Sequence, residues 1–470
     1  MIINESDRKH SFLHYFLKGE ATKRIFDGIA TAVGLVNSYF IISNLSVFHF
    51  GLYQLMLSFI SILDGLNLDV IDGVVQVEMR RSFNVGDRGR AKRLYLGHAK
   101  IKLAIAVILA ASVFLGASLI AKYYGEDVGL FISIASLLLV FRAAQSLESM
   151  LLKSLLTFSY WSYPAIREVA KLAFVLGFLF LTGQFTITQV ITAHVIAEGL
   201  ALVVMTFVLF ISKYYRAFTG AAMEAKSLVW GVIGTYGKWA ILRYFFSKIS
   251  KNSTPWLVKF FINTEAVAYY SLAVNLIAFI ENFFPLDGLA QILAFKADNI
   301  NQISFIFKKS VKYAVWLGVV FVIGGALLTA PVVVFIFPKY EPAMPVFYVM
   351  LLALPVFGFY KILKSTLTVL REQKTLTMRV FNEAVLIPAT LLIFLPLFRL
   401  VGAGFTYALI YLERTWFFYN QLVKKYPDFK INFSQFFKFD RTDRDLLERA
   451  VLKPLAKTKE FIGLNHNDKK

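Results

Sequence analysis

The chain alternates between apolar runs of nearly uniform length and short polar segments. A run of about 20 apolar residues lets a helix cross roughly 30 Å of hydrocarbon, so this pattern predicts about twelve transmembrane helices. The predicted spans cover residues 25–42, 52–74, 103–121, 130–150, 165–181, 187–211, 230–249, 267–295, 313–337, 343–370, 378–398 and 401–423. Lys248, Lys251, Asn252 and Pro255 interrupt the seventh run, so we expect that span to end anywhere between residues 250 and 261.

Part of this pattern is repeated within the chain. Residues 49–64, HFGLYQLMLSFISILD, align at a constant offset with residues 266–281, AVAYYSLAVNLIAFIE, so that Asp64 falls opposite Glu281. The similarity continues between residues 124–151 and 340–367, and between residues 167–169 and 382–384. Duplicated halves with matching intramembrane polar positions are typical of transporters that handle their substrate between the halves. The expected fold is an all-α polytopic membrane protein with two repeated six-helix bundles around a central cavity.

Basic residues in the loops set the expected orientation. The connection after the second span carries a dense group of cations, whereas the connections after the first and fifth spans carry none. That group comprises Arg80, Arg81, Arg88, Arg90, Lys92, Arg93, Lys100 and Lys102. By the positive-inside rule we expect both termini in the cytoplasm and the protein in the cell (inner) membrane. The expected domains are a cytoplasmic N-terminus (1–23), a first bundle (24–215), a cytoplasmic linker (216–228), a second bundle (229–426) and a basic cytoplasmic tail (427–470).

Composition narrows the classes of function. Hydrophobic residues make up 57% of the 470 residues, and the mean hydropathy is +0.62. The net charge of +20 does not indicate a nucleic-acid partner, because the cations lie in loops between apolar runs or inside those runs. The segment GVIGTYGK at residues 231–238 lacks the last Gly and the Ser or Thr of a phosphate-binding loop. We expect no cofactor and no metal, because the sequence has no HExxH motif and no histidine cluster with metal spacing. We expect no enzymatic activity, since the predicted outer loops are too short to build a catalytic site.

Basic residues inside or beside the predicted spans suggest the main function. A charge near the bilayer centre costs about 2.5 to 3.5 kcal/mol, so such residues usually face a bundle interior or an aqueous cavity. The candidates for contacting an anionic substrate are Arg24, Arg142, Lys248, Lys251, Lys361 and Lys364. A structural buried ion pair is the alternative for these residues. Arg142 aligns with Gly358, and Gln145 aligns with Lys361, so the repeat does not duplicate this lining. We therefore expect one shared anion site between the bundles.

Acidic residues inside the spans have two interpretations. The candidates for binding H⁺ or Na⁺, together with one histidine, are Asp64, Asp69, Asp72, His194, Glu198 and Glu281. His194 and Glu198 lie one helical turn apart and could share a hydrogen bond. In the alternative interpretation, Asp69 or Asp72 neutralises Arg24 across the bundle, and His194 is a structural residue between helices. Sequence leaves both interpretations open.

Four segments of the chain together resemble a known family. They read FGLYQLMLSFISILDGLNLDVI (50–71), VAYYSLAVNLIAFIENFFPL (267–286), FIFPKYEPAMPVFYVMLLALPVF (335–357) and LVGAGFTYALIYL (400–412). Over roughly residues 18–426 the chain resembles polysaccharide flippases of the multidrug, oligosaccharidyl-lipid and polysaccharide (MOP) exporter superfamily. The resemblance implies two six-helix bundles in a V around a cavity that opens alternately to each side. It also implies cationic cavity residues for the substrate diphosphate, which Arg24, Arg142, Lys248 and Lys361 match by position without a shared motif.

The leading functional hypothesis is a flippase working by alternating access. The resemblance implies that it moves a polyprenyl-diphosphate-linked oligosaccharide from the cytoplasmic to the outer leaflet for surface polysaccharide assembly, for example of O-antigen. The alternative is a proton- or sodium-coupled antiporter of drugs or organic cations, which would need a mostly acidic cavity. A glycan-assembly enzyme fits less well because the predicted outer loops are short, and a scaffold fits less well because it would not need charges in mid-membrane. Expected partners are the anionic lipid-linked saccharide, other polysaccharide-assembly proteins and membrane lipids. A short tail helix at 443–451 could lie against the anionic leaflet, and a disordered solubilising tail is the alternative.

Overall fold

A computed structural model of the protein describes residues 5–124, 128–183, 185–220, 231, 238–284 and 300–432. The helices of the first half are α1 (Glu5–Asn44), α2 (Val47–Asp64), α3 (Asp69–Asn84), α4 (Arg88–Tyr124), α5 (Gly129–Ser154), α6 (Ser162–Thr182), α7 (Ile187–Met205) and α8 (Ile211–Phe218). Those of the second half are α9 (Lys238–Phe261), α10 (Thr264–Glu281), α11 (Ile300–Ile336), α12 (Met344–Leu351), α13 (Leu354–Val369), α14 (Gln373–Phe398) and α15 (Val401–Lys425). A π-helical turn, Thr206–Phe210, joins α7 to α8, and 3-10 turns cover Phe158–Trp161, Pro338–Ala343 and Pro427–Phe429.

The described residues form a helical membrane protein. Seven of their helices are long and apolar enough to cross a membrane, and eight if the bent pair α12 and α13 counts as one span. The other predicted spans coincide with α6, α9, α10 and α15, and no strand occurs in the described ranges. The predicted all-α polytopic fold is therefore confirmed. The predicted tail helix at 443–451, most of the linker and the end of the eighth span lie outside the described residues.

The sequence repeat appears in the structure as two helices of equal length. Helices α2 and α10 each contain 18 residues, and they end at Asp64 and Glu281. Each begins at a polar N-cap: Ser46 accepts a hydrogen bond from His49 N at 3.2 Å, and Asn263 accepts one from Ala266 N at 2.8 Å. Such caps satisfy backbone N–H groups that have no partner within the helix. The repeat offset relates the two caps as well as the two terminal acids.

Helix packing follows the same repeat. In the first half α6 packs against α1 and α7, and in the second half α14 packs against α9 and α15. Likewise α4 packs against α5, and α11 packs against α13. Because equivalent helices have equivalent neighbours, side chains at repeat-related positions occupy comparable places in the two halves.

Two predicted spans are broken in the structure. The predicted continuous span 52–74 was wrong, because α2 ends at Asp64 and α3 begins at Asp69. Leu68 adopts a left-handed backbone conformation (φ 59°), which a helix cannot continue through. In the second half α12 and α13 meet at an angle of 50°, next to Pro355, which has no backbone N–H to donate to the preceding turn. The first break lies beside polar side chains, whereas the second lies among apolar residues such as Leu351 and Leu354.

The two halves meet closely at the end of the bundle where α1 ends and α2 begins, which we call the junction end. Helix α2 packs against α10 and α9 of the second half. A Cβ atom at Gly51 would lie 2.1 Å from the carbonyl oxygen of Thr264, so only glycine permits this approach. Lys339 Nζ also donates hydrogen bonds to the carbonyl oxygens of Ser43 at 2.8 Å and Leu45 at 2.6 Å. The orientation predicted from loop charge puts the junction end outside the cell.

Candidate functional site

The break after α2 positions a buried ion pair. Asp64 is the last residue of α2, and its carboxylate accepts a hydrogen bond from Arg142 Nη1 of α5 at 2.8 Å. The Asp64 side chain is 8% exposed, whereas that of Arg142 is 27% exposed. A guanidinium has five N–H donors, and this contact uses a single one of them. Arg142 is therefore both anchored by an acid and accessible to a further anion.

Four of the other predicted cations are lysines of the second half, on α9 and α13. Lys248 of α9 lies against the break, because a Cβ atom added at Gly65 would be 3.0 Å from the Cβ atom of Lys248. Lys248 is also within electrostatic range of Asp64. Lys361 Nζ lies 5.3 Å from the ring centre of Phe357, a cation–π geometry. Lys364 is exposed and is within electrostatic range of Lys361 and the exposed Lys251.

These four lysines share one property. Within the described ranges, no carboxylate lies within ion-pair distance of Lys248, Lys251, Lys361 or Lys364. Clustered cations without acid partners repel one another, and the repulsion is relieved when a multivalent anion binds between them. Arg24 differs, because it is exposed on α1 and the structure gives no contact between its side chain and the other candidates. The structure therefore associates five of the six predicted cations with the break region and α13.

The aspartates of α3 belong to a different cluster. Lys102 Nζ donates to Asp69 at 2.7 Å, to Asp72 at 2.6 Å and to Ser146 Oγ at 3.0 Å, and its side chain is 0% exposed. His98 Nε2 lies 2.6 Å from the other oxygen of Asp72. The expectation that Asp69 or Asp72 neutralises Arg24 was wrong, as was the assignment of Lys102 to a loop.

This α3 cluster also reaches the second half of the molecule. Tyr244 of α9 donates a hydrogen bond to Asp69 at 3.1 Å. Close by, Ser58 of α2 donates to the carbonyl oxygen of Asn252 of α9 at 2.7 Å. Helix α9 is thus tied to the first half on both sides of the break.

Glu281, the counterpart of Asp64, has different partners. Its carboxylate accepts hydrogen bonds from Tyr407 at 2.6 Å and Tyr411 at 3.4 Å. The residue aligned with Arg142 is Gly358, where a Cβ atom would already lie 2.9 Å from the carbonyl oxygen of Ala314. An arginine has no room at that position. The halves therefore keep the acid and change the group that binds it.

Each half also contains an arginine between two glutamates. In the first half Arg167 of α6 lies 3.0 Å from Glu168 and 3.6 Å from Glu198 of α7. In the second half Arg379 of α14 lies 3.5 Å from Glu383 and 2.6 Å from Glu413 of α15. One offset relates Glu168 to Glu383 and Glu198 to Glu413. These clusters join equivalent helix pairs, which favours a structural role for Glu198.

His194 does not bond to Glu198, so that expectation was wrong. Its Nδ1 lies 3.1 Å from the hydroxyl group of Tyr53 on α2. Both side chains are buried, and the contact joins α7 to the helix that forms the junction between the halves. The interpretation of His194 as a satisfied residue between helices agrees with this geometry.

Solved structures of MOP superfamily transporters have a fold similar to that of this chain. The lipid II flippase MurJ in an inward closed conformation is similar to this chain with a TM-score of 0.70 at 13% identity, over 92% of each chain. An inward-facing multidrug resistance MATE family transporter of that superfamily is similar with a TM-score of 0.69 at 12% identity, over 84% of this chain and 96% of the other.

A third solved structure differs in its reported chemistry. A MOP superfamily transporter from Pyrococcus furiosus, described as having a binding pocket of reverse polarity, has a TM-score of 0.58 at 11% identity, over 87% of this chain and 95% of the other. No protein-family model matches the sequence, and the search of curated proteins gives no match. The similarity therefore establishes the fold, and the chemistry has to be argued from the side chains.

Proposed function

We propose that this protein is a flippase for a polyprenyl-diphosphate-linked oligosaccharide and that it works by alternating access between its two halves. The observation that carries the proposal is the group of lysines without acid partners in the described ranges, Lys248, Lys251, Lys361 and Lys364, together with the partly exposed Arg142. A diphosphate has several anionic oxygens, which suit both the point charges of lysines and the fork of an arginine. The lipid portion of the substrate stays in the surrounding membrane.

The contacts between the halves fit this mechanism. At the junction end Gly51 and Lys339 hold the halves together, so the cationic surface would be loaded from the opposite end. The predicted orientation makes that opposite end cytoplasmic, where a lipid-linked precursor is assembled. From the distribution of loop charges we also propose that the protein lies in the inner membrane with both termini in the cytoplasm.

A drug or organic-cation antiporter is the second candidate. It is supported by Glu281, which accepts hydrogen bonds from two tyrosines and has no basic group within ion-pair distance in the described part of the chain. An acid held by hydroxyl groups could receive a cationic substrate, H⁺ or Na⁺. The lysines on α9 and α13 oppose this candidate, because they would repel a cation entering the same space.

Depletion of the protein separates the two candidates. If the protein is a flippase, its depletion should make the lipid-linked oligosaccharide accumulate on the cytoplasmic leaflet. An impermeant glycan-binding probe cannot reach it there in intact cells. Unchanged lipid intermediates together with increased sensitivity to cationic dyes would instead support the antiporter.

The lysines can be tested directly in vesicles that contain a fluorescent polyprenyl-diphosphate saccharide. Lys248→Ala and Lys361→Ala should each slow flipping about tenfold or more, since one charge-assisted hydrogen bond contributes about 1.5–3 kcal/mol. Lys259→Ala, near the end of the same α9, removes one cation away from the break and should flip at the normal rate. If Lys248→Ala and Lys361→Ala flip the lipid as fast as the control Lys259→Ala, the proposed anion site is excluded.

A further inference from the structure

Glu148 is a buried acid that has no cationic partner among the residues that the structure describes. It lies on α5 among the helices of the first half, and it is 8% exposed. Its Oε1 is in hydrogen-bond contact with Thr206 Oγ1, whereas its Oε2 is buried and has no hydrogen-bond partner. The other buried acids described above are bound by a lysine, an arginine or a pair of tyrosines. An ionised carboxylate in this position would lack compensation for its lost hydration.

The charged residues packed around α5 are engaged elsewhere. Asp72 and His98 bond to each other, and Lys102 donates to Asp72 and Asp69. Lys153, further along α5, points at the ring of Tyr160, 5.0 Å from its centre. The titratable group that faces Glu148 from α4 is the hydroxyl of Tyr95, which is neutral and buried.

The hydrogen bonds of Thr206 indicate where a proton must be. Its single hydroxyl proton can serve one acceptor, yet Thr206 Oγ1 is in contact with both Glu148 Oε1 and the carbonyl oxygen of Leu202, the latter at 2.8 Å. Both contacts are satisfied when Thr206 donates to Leu202 and the carboxyl of Glu148 donates to Thr206. This pattern of contacts favours a protonated Glu148.

Thr206 is also the first residue of the π-helical turn Thr206–Phe210. Such turns are uncommon and often occur at functional sites. If Glu148 releases its proton to water, the carboxylate becomes an acceptor only, and the Thr206 hydroxyl has to turn from Leu202 to Glu148. The contact that supports the start of the turn is then lost.

We propose that Glu148 is a proton-binding site, occupied in this conformation, and that its ionisation rearranges the π-helical turn of α7. The site lies apart from the lysines that carry the proposed function, and it does not depend on which substrate is moved. It gives the first half a device that responds to protons.

Infrared difference spectroscopy on the purified full-length protein tests the occupancy. The spectrum of wild type minus Glu148→Gln should contain the carbonyl band of a protonated carboxyl group at neutral pH, and the band should disappear on raising the pH. Thr206→Val should shift that band to higher frequency, and Thr206→Ser should restore it. Glu341→Gln, at an exposed acid in the 3-10 turn Pro338–Ala343, is the matched control and should leave the band unchanged. Absence of the band, or a band that Thr206→Val does not move, overturns the proposal.

Hydrogen exchange tests the link to the turn. At each pH, exchange in the peptide covering residues 206–210 is compared between wild type and Glu148→Gln, which cancels the intrinsic dependence on pH. The exchange rate of wild type divided by that of Glu148→Gln should be close to one at low pH. This ratio should rise roughly three- to tenfold at high pH, the range expected when one hydrogen bond is lost. A constant ratio overturns the link. If Glu148→Gln does not fold, the Thr206→Val and Thr206→Ser pair still decides whether the carboxyl band depends on Thr206.

Discussion

Replacement of Lys102 by methionine tests the buried cluster of α3, α4 and α5. All three ammonium protons of Lys102 are used, by Asp69, Asp72 and Ser146, and the side chain is 0% exposed. Removing one partner of a buried ion pair costs about 3–5 kcal/mol, because the remaining charge is left uncompensated. Asp69 keeps 30% of its side chain exposed, and His98 still contacts Asp72, so we expect a loss of about 3 kcal/mol.

The free energy of unfolding can be followed by tryptophan fluorescence in mixed micelles with an increasing fraction of denaturing detergent. Lys100→Met is the matched control, because Lys100 lies two residues away on the exposed face of α4 and should change stability by about 0.5 kcal/mol or less. Adding Asp72→Asn to Lys102→Met should recover part of the loss, since fewer uncompensated charges remain. A Lys102→Met protein within about 1 kcal/mol of wild type would refute the reasoning.

Three further predictions concern contacts at the two ends of the bundle. Lys339→Met removes two hydrogen bonds to carbonyl oxygens at the end of α1, so distances between spin labels across the junction end should broaden toward longer values. Gly51→Ala places a Cβ atom 2.1 Å from the Thr264 carbonyl oxygen and should lower the melting temperature, whereas Gly73→Ala, which meets no atom within 4 Å, should not. A hydrogen bond from Lys425 lowers the pKa of Glu372, so this contact stabilises the protein at neutral pH and is lost as the pH falls through the lowered pKa. Glu372→Gln should therefore flatten the acid side of the pH–stability profile. An unchanged profile would count against this contribution of Glu372.

The sequence alone predicted those elements of the fold that depend on local pattern. The apolar runs predicted the helices, and the repeat predicted that Asp64 and Glu281 occupy equivalent positions. The structure adds that both residues end helices of identical length. Local pattern was enough here because helix periodicity and capping depend on residues close together in the chain.

Contacts between distant residues could not be predicted in the same way. Lys100 and Lys102 look alike in the sequence, yet two residues along a helix turn the side chain to nearly the opposite face, and only Lys102 reaches Asp72, 30 positions away. The break at Leu68 carries no glycine or proline signal at the residue that adopts the left-handed conformation. Glu148 was missed because a lone acid in a helix reveals nothing about the absence of a cation around it.

The close approach at Gly51 makes the repeated segments of the two halves non-equivalent. The repeat-equivalent residue is Ala268, which carries the Cβ atom that Gly51 lacks. A chimaera with residues 266–281 in place of 49–64 would therefore bring a Cβ atom to 2.1 Å from the Thr264 carbonyl oxygen. An assembly of two second halves would meet the same obstacle. Although the chain repeats its own scaffold, the second-half segment cannot replace its first-half counterpart without a clash at this contact.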